Sequence, residues 1–451
     1  MSSTPLPSSA RARFWFIALG VLITLLLPLL FIGIVHRLWV RRRALAQIRG
    51  KITGLGPALP HGGILIHGVS LGETALMKPL LAQLPAETTV VLTSSTETGL
   101  AGLAAMFPDR PQAAWPLDLP WAVHAFLRRT KPRMIILLEA ELWPLALLAA
   151  RARGIPVVML NARASERSHR RWRMLRGMAR RLIGSLSLAV VQEPIYAARL
   201  ADLGIPRQRL ALSGSLKADM VRPATVAAAE AEAQRIALTD GPLLLLASTS
   251  DPEEAPLLAS WKNWGATSGW HCVVVPRHPE RGEAIATHAR ALGLTARCTN
   301  SPSPQPPASS LQPAAIIIVN EIGRLGALYA LCAARGGIAV VGGSLGSGRG
   351  GQNMLEAAAA GCCTVVGWDT LAQPDPMRLL RTAGAVVELT PAQVDATLAA
   401  LAVDPARRAV LGTTAQQAWA LGRGALARTM RILKRSGLPL LATQTPQDSR
   451  P

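Results

Sequence analysis

Aromatic residues make up only 4% of this 451-residue chain, and charged residues only 17%. The first shortage leaves few rings on which bases could stack, so nucleic acid is not expected as a partner. The second, beside 50% hydrophobic residues, excludes a largely disordered chain. Cysteine is nearly absent. Cys272, Cys298, Cys332, Cys362 and Cys363 are odd in number and none pairs at zinc-ligand spacing, which argues against a disulfide framework or a structural zinc site. They are expected to be small buried residues in a reducing compartment. None of the eight histidines forms a metal-type pair at helical spacing, so neither a metal nor a cofactor is expected.

Acidic residues are also few, 27 against 48 basic ones, for a net charge of +21. An excess of this size favours acidic partners, and the N-terminus indicates an anionic membrane leaflet. Residues 14–35, FWFIALGVLITLLLPLLFIGIV, carry no charge, and as a helix they would span roughly 33 Å, enough to cross a bilayer. No small-residue cleavage site follows. Instead come Arg37, Arg41, Arg42 and Arg43, then Arg49 and Lys51, against Arg11 and Arg13 on the other side. The expectation is an N-terminal tail (1–13) and an uncleaved single-pass anchor (14–36), with everything beyond it cytoplasmic by the positive-inside rule. The location is then the inner membrane.

After residue 60 short apolar runs alternate with turns and amphipathic stretches. The runs at 64–69, 90–93, 134–138, 156–160 and 186–191 are almost continuously apolar, as parallel strands covered on both faces are. A second series lies at 243–247, 272–275, 314–319, 337–341 and 364–366. The fold class expected is α/β: two doubly wound, Rossmann-like domains, 37–220 and 241–436, with a cleft between them. A linker at 221–240 and a loose tail at 437–451 complete the division. The stretch SPSPQPPASSLQ is too rich in Pro and Ser to pack and reads as a surface loop.

Six segments carry chemistry. ILIHGVSLGETA runs a strand through a tight turn into a helix opened by Glu73, where the positive helix end would hold a base ionised. Spacing alone also allows, and favours, a carboxylate that only complements the dipole. MIILLEAELWP sets Glu139 and Glu141 directly after the most apolar strand, either for electrostatic work or as a helix start. NARASERSHRRWRMLRGMARRL holds eight arginines. Trp172, Leu175 and Leu182 fall on one face of it as a single helix, a pattern of membrane-surface helices and of ordinary solvated ones. SGSLKAD presents Lys217 in a turn, and VVPRHPER ends a strand with Arg277, His278 and Arg281, which suit phosphate or carboxylate. VGGSLGSGRGGQNMLEA has six glycines between Gly342 and Gly351 before a helix, and such loops let backbone N–H groups approach a phosphate. Glu356 follows, placed to take ribose hydroxyls. No Asp-x-Asp pair is present, so cations and helix dipoles must offset a leaving phosphate's charge.

Taken in order, HGVSLGET, PLDLPWAVHAFLRRTKP, EAELWP, IPVVMLNARASERS, SGSLKAD, VPRHPER, VGGSL and GGQNMLEAAAAG resemble the 3-deoxy-D-manno-octulosonic acid (Kdo) transferases of lipopolysaccharide synthesis, over most of residues 60–370. The resemblance implies a glycosyltransferase-B fold and an inverting, metal-independent transfer from CMP-Kdo to lipid A precursor. It implies Glu73 as base, and Glu139 and Lys217 as transition-state stabilisers. It places CMP at Pro276 and Arg277, at Ile322, Gly323 and Arg324, and at Asn353, Met354, Leu355 and Glu356. The acceptor and the anionic lipids of the inner membrane fall to Arg163, Arg167, Arg170, Arg171, Arg173 and Arg176. Four departures lie in the donor half: Arg324 stands where the family has an acidic residue, Gln352 where it has His, Ser250 where it has His, and GWDTLAQPD replaces a His-centred stretch. A related enzyme with another CMP-sugar or lipid acceptor, and a non-catalytic lipid A-binding membrane protein, are the other readings these residues allow.

Overall fold

The computed structural model of the chain describes residues 45–140, 142–265, 268–300, 315–346 and 348–440. The expected anchor at 14–36, Glu141 and all of the Pro- and Ser-rich loop lie outside the described residues. Among those described, no helix is long and apolar enough to cross a membrane.

The chain divides into two units, one holding Met1–Met220 and Gly424–Pro451, the other Val221–Arg423. The first is built on seven parallel strands: β1 (Ile64–His67), β2 (Val90–Ser94), β3 (Gln112–Ala114), β4 (Met134–Leu138), β5 (Val157–Ala162), β6 (Leu188–Val191) and β7 (Leu210–Leu212). Their order is β3-β2-β1-β4-β5-β6-β7. The order reverses between β1 and β4, so the carboxyl ends of those two strands flank the crevice where open α/β sheets bind ligands. The central strands are buried on both faces. One face packs the core around Trp115, Phe126, Leu145 and Ile183, the other around Leu76, Met77, Leu103 and Met430.

The second unit repeats the plan with β8 (Leu243–Thr249), β9 (His271–Pro276), β10 (Ala296–Cys298), β11 (Ile316–Ile318), β12 (Ile338–Val341), β13 (Cys363–Gly367) and β14 (Val387–Leu389), in the order β10-β11-β9-β8-β12-β13-β14. Its reversal lies between β8 and β12. All five cysteines are buried in this unit and none forms a disulfide.

Three boundaries differ from the sequence reading. The final helix, Ala425–Arg435, does not close the second domain: Ala425, Met430 and Leu433 enter the core of the first unit. Its apolar stripe fits the β1–β4 side of that sheet, and proximity along the chain gave no hint of it. The tail beginning at Gly437 is not loose at its start, because Leu440 is 1% exposed in the same core. The stretch 221–240 holds a helix, Val226–Arg235, capped by Thr225 and counted with the second unit.

Candidate active site

In the first unit β1 ends at His67, Gly68 and Val69 turn, and Ser70 caps the helix Leu71–Leu81. Ser70 Oγ accepts the Glu73 N–H at 3.3 Å and donates to Glu73 Oε1 at 3.2 Å, while the Val69 N–H donates to Glu73 Oε2 at 2.7 Å. Glu73 is therefore both a capping carboxylate and a half-buried one aimed by two donors. A Cβ on Gly68 would come within 3.1 Å of Glu73 Cβ and of Met77 Cε, so glycine lets the turn close over this helix. Burial raises the Glu73 pKa above its ordinary value and the Glu139 charge adds to that, against the Val69 N–H, Ser70 and Arg163. Desolvation thus opposes the helix end that was expected to hold Glu73 ionised, and a carboxylate with raised proton affinity suits a base.

Glu139 follows β4 with φ +61, a left-handed conformation that costs a non-glycine residue about 1–3 kcal/mol. Its buried carboxylate is held by Lys217 Nζ at 3.2 Å and Arg163 Nε at 3.2 Å. Lys217 sits in the short helix Leu216–Met220, which two residues outside the predicted set support. Asn161, fully buried with φ +52, takes the Leu216 N–H on Oδ1 at 3.0 Å. Asp219 accepts the N–H groups of Gly424 and Leu426 at 2.6 and 2.7 Å, capping the final helix. Asn161 showed only as the end of an apolar run, and Asp219's partners lie some 200 positions away, so neither carried a local signal. Asp118, from the PLDLPWAV stretch, caps the helix Pro144–Ala152 that follows Glu139, accepting the N–H groups of Leu145 and Ala146 at 2.8 and 2.9 Å. Burial lifts its pKa to about 6 against those two bonds.

His67 was also missed. It is fully buried at the end of β1, its ring 4.2 Å from that of Trp115 and 5.9 Å from that of Trp143. Thr93 Oγ1 donates to the Ile66 carbonyl at 3.0 Å and lies 3.1 Å from His67 Nδ1, so Nδ1 carries the proton and Nε2 is left without a protein partner. Burial depresses its pKa to about 3, keeping a neutral ring behind the site.

The basic segment is two helices, Glu166–Met174 and Arg176–Leu182, broken at Leu175. The break overturns the single apolar face expected: Leu182 is buried and Trp172 packs on the core, but Leu175 and Met174 are exposed. Arg167, Arg170 and Arg171 face solvent, and Arg170 pairs with Glu166 at 3.3 Å. Arg173 and Arg176 share Asp202, at 3.6 and 3.3 Å. Arg163 does not belong with them, since β5 ends beside it and delivers it to Glu139.

In the second unit Pro276 ends β9 and the Arg277 N–H donates to the Thr249 carbonyl at 2.9 Å. Arg277 is exposed and its charge reaches Glu356. Burial raises the Glu356 pKa, opposed by Arg277 and by Asn353, whose Nδ2 donates to Glu356 Oε1 at 2.9 Å. Met354 and Leu355 are buried, so only their backbone can meet a ligand. Ile322 is 88% exposed, Gly323 takes φ +89, and Arg324 pairs with Glu321 at 3.1 Å and Glu232 at 3.8 Å. Arg281 differs from expectation: Glu254 takes its guanidinium at 2.5 Å, so it is no free anion site. The glycine-rich loop differs too, because the N–H groups of Gly343, Ser344 and Leu345 already point at the Glu253 carboxylate. Among the described residues no cluster of His, Cys, Asp and Glu could hold a metal ion.

A family model described as 3-deoxy-D-manno-octulosonic-acid transferase (kdotransferase) matches residues 37–220. The chain is 33% identical over 423 residues to the 3-deoxy-D-manno-octulosonic acid transferase of Bordetella pertussis, covering 88% of this chain and 95% of that one. It is 30% identical over 431 residues to the protein of the same name from Haemophilus influenzae, covering 94% and 98%. Among solved structures, the UDP-GlcNAc 2-epimerase of Neisseria meningitidis superposes with a TM-score of 0.55 at 14% identity, over 82% of this chain and all of that one. That likeness supports the pair of Rossmann-like folds alone.

Proposed function

The chain belongs to the 3-deoxy-D-manno-octulosonic acid (Kdo) transferase family, and on that premise we propose that it moves Kdo from CMP-Kdo to a hydroxyl of lipid A precursor with Glu73 as the base. It is a glycosyltransferase of lipopolysaccharide synthesis. One arrangement supports the assignment of roles. Glu73, with raised proton affinity, lies within electrostatic reach of Glu139, whose charge Lys217 and Arg163 match.

The acceptor hydroxyl passes its proton to Glu73 as its oxygen attacks the anomeric carbon. The bond from that carbon to the phosphate oxygen breaks, and CMP departs with the electron pair. A single displacement inverts the centre. The Val69 N–H and Ser70 hydroxyl hold the base in place before the hydroxyl arrives. Glu139 stabilises the oxocarbenium-like sugar, and Lys217 with Arg163 the charge on the leaving group. Arg277, beside Pro276, takes the phosphate; Asn353 and Glu356 take the ribose, and Met354 and Leu355 contribute backbone. Around Ile322, Gly323 and Arg324 the contact is again backbone, since the Arg324 guanidinium is committed to two glutamates. That same commitment favours, as a second reading, a variant CMP-octulosonate donor. Arg167, Arg170, Arg171, Arg173 and Arg176 meet the phosphates of lipid A and of the inner membrane's cytoplasmic leaflet.

Purified full-length protein given CMP-Kdo and lipid A precursor should yield, by mass spectrometry, a lipid heavier by whole Kdo residues. No mass gain from a folded protein that binds CMP would overturn the proposed donor.

A further inference from the structure

Glu253 lies just beyond β8 and is wholly shielded from solvent. Its Oε1 accepts the N–H groups of Ser250 and Gly343, both at 2.7 Å; its Oε2 accepts those of Ser344 and Leu345, both at 3.3 Å. Successive backbone N–H groups curved in this way form an anion-binding nest. Here the anion is a side chain of the protein itself. Gly342 is shaped by its approach, because a Cβ there would lie 2.6 Å from Glu253 Oε1 and 2.7 Å from the Ser248 carbonyl.

The bonds continue towards the nucleotide segment. The Gly343 carbonyl accepts the Gly351 N–H at 2.8 Å, and the Gly342 carbonyl accepts the Gln352 N–H at 3.0 Å. Asn353 comes next, with its amide on Glu356. The carboxylate thus fixes Gly343, and Gly342 and Gly343 fix the two residues that lead into Asn353 and Glu356.

We infer that Glu253 is a positioning residue for the donor: its carboxylate fills the amide cradle at the base of the glycine-rich loop and so holds Asn353 and Glu356 where they grip the nucleotide, without touching it. The inference rests on the CMP-sugar reading above. It also means that the phosphate is not taken by the amides of Gly343, Ser344 and Leu345.

Two measurements on the full-length protein separate the possibilities: calorimetric titration with CMP, and hydrogen exchange of the 342–352 amides without nucleotide. Glu253→Gln turns an NH2 towards N–H donors. It should weaken CMP binding about ten-fold or more and speed exchange across 342–352, with exchange at 64–81 unchanged. Glu253→Asp keeps the charge on a shorter arm, should fall between the two, and serves alone if the Gln variant does not fold. CMP affinity within two-fold of wild type in both variants, or unaltered exchange, would overturn the inference. A wild type that binds no CMP would instead sink the donor reading, while the exchange data still decide whether Glu253 orders the loop.

Discussion

Both oxygens of Glu73 are engaged by donors of its own turn, so the residue serves structure and chemistry with the same atoms. Its replacement separates the two. Glu73→Gln keeps the shape and one acceptor oxygen but cannot take a proton. Turnover should fall by roughly a hundred-fold or more, with CMP affinity and unfolding temperature little changed. Near wild-type transfer would reduce Glu73 to a helix cap. Because its pKa is raised, the acid limb of the pH–rate profile should lie above the ordinary carboxylate range. His67 gives a second prediction. Above pH 6.5 the ring is neutral in both folded and unfolded chains. Below that the unfolded chain takes up a proton that the folded one refuses until about pH 3. Stability therefore drops as pH falls through this window, by up to about 1.4 kcal/mol per pH unit from this one group. In urea unfolding at pH 7.5, 6 and 5, His67→Gln should show a shallower acid decline, and an identical slope would exclude the role. Glu73, Glu139 and Lys217 were singled out by the motifs that resemble the family, since position after an apolar run or turn also allows a helix-start carboxylate or a surface lysine. Asn161, Asp118, Asp219 and Glu253 were not, because their partners are backbone groups of distant segments.

Among the elements, every strand expected from an apolar run is present, and the four that were missed are β3, β7, β10 and β14, the outermost strands of the two sheets. Edge strands are covered less completely and need no continuous apolar run. Gln112–Ala114 and Val387–Leu389 are three residues long and only partly buried. The basic segment failed for another reason. Periodicity places residues on a face only while one helix persists, and this one stops at Met174. The break leaves Met174 and Leu175 exposed beside Arg170, Arg171 and Arg173. Changing Arg170, Arg171, Arg173 and Arg176 to Gln should weaken sedimentation of anchor-deleted protein with anionic vesicles, most clearly at low salt. Unchanged sedimentation would mark an ordinary solvated surface.

For the whole molecule, the concentration of arginine after the apolar run at 14–35 leads us to expect one span with residues 37–451 cytoplasmic. A periplasmic reporter fused after residue 60 should be silent, and strong activity would reverse the orientation. The two doubly wound units were legible because parallel strands advertise themselves in order along the chain. The return of Ala425–Arg435 to the first unit was not, since nothing in its sequence says which sheet it covers. That return has a bearing on biosynthesis. Asp219 grips Gly424 and Leu426, and Ser213 takes Arg428 Nε at 2.6 Å. A ribosome, however, emits all of Val221–Arg423 before these partners exist. During translation the turn bearing Lys217 must wait, unfinished, while the second unit emerges and folds. A nascent chain stalled short of residue 424 should thus hold a complete donor unit and no working transferase, so that activity begins only when the last helix is delivered.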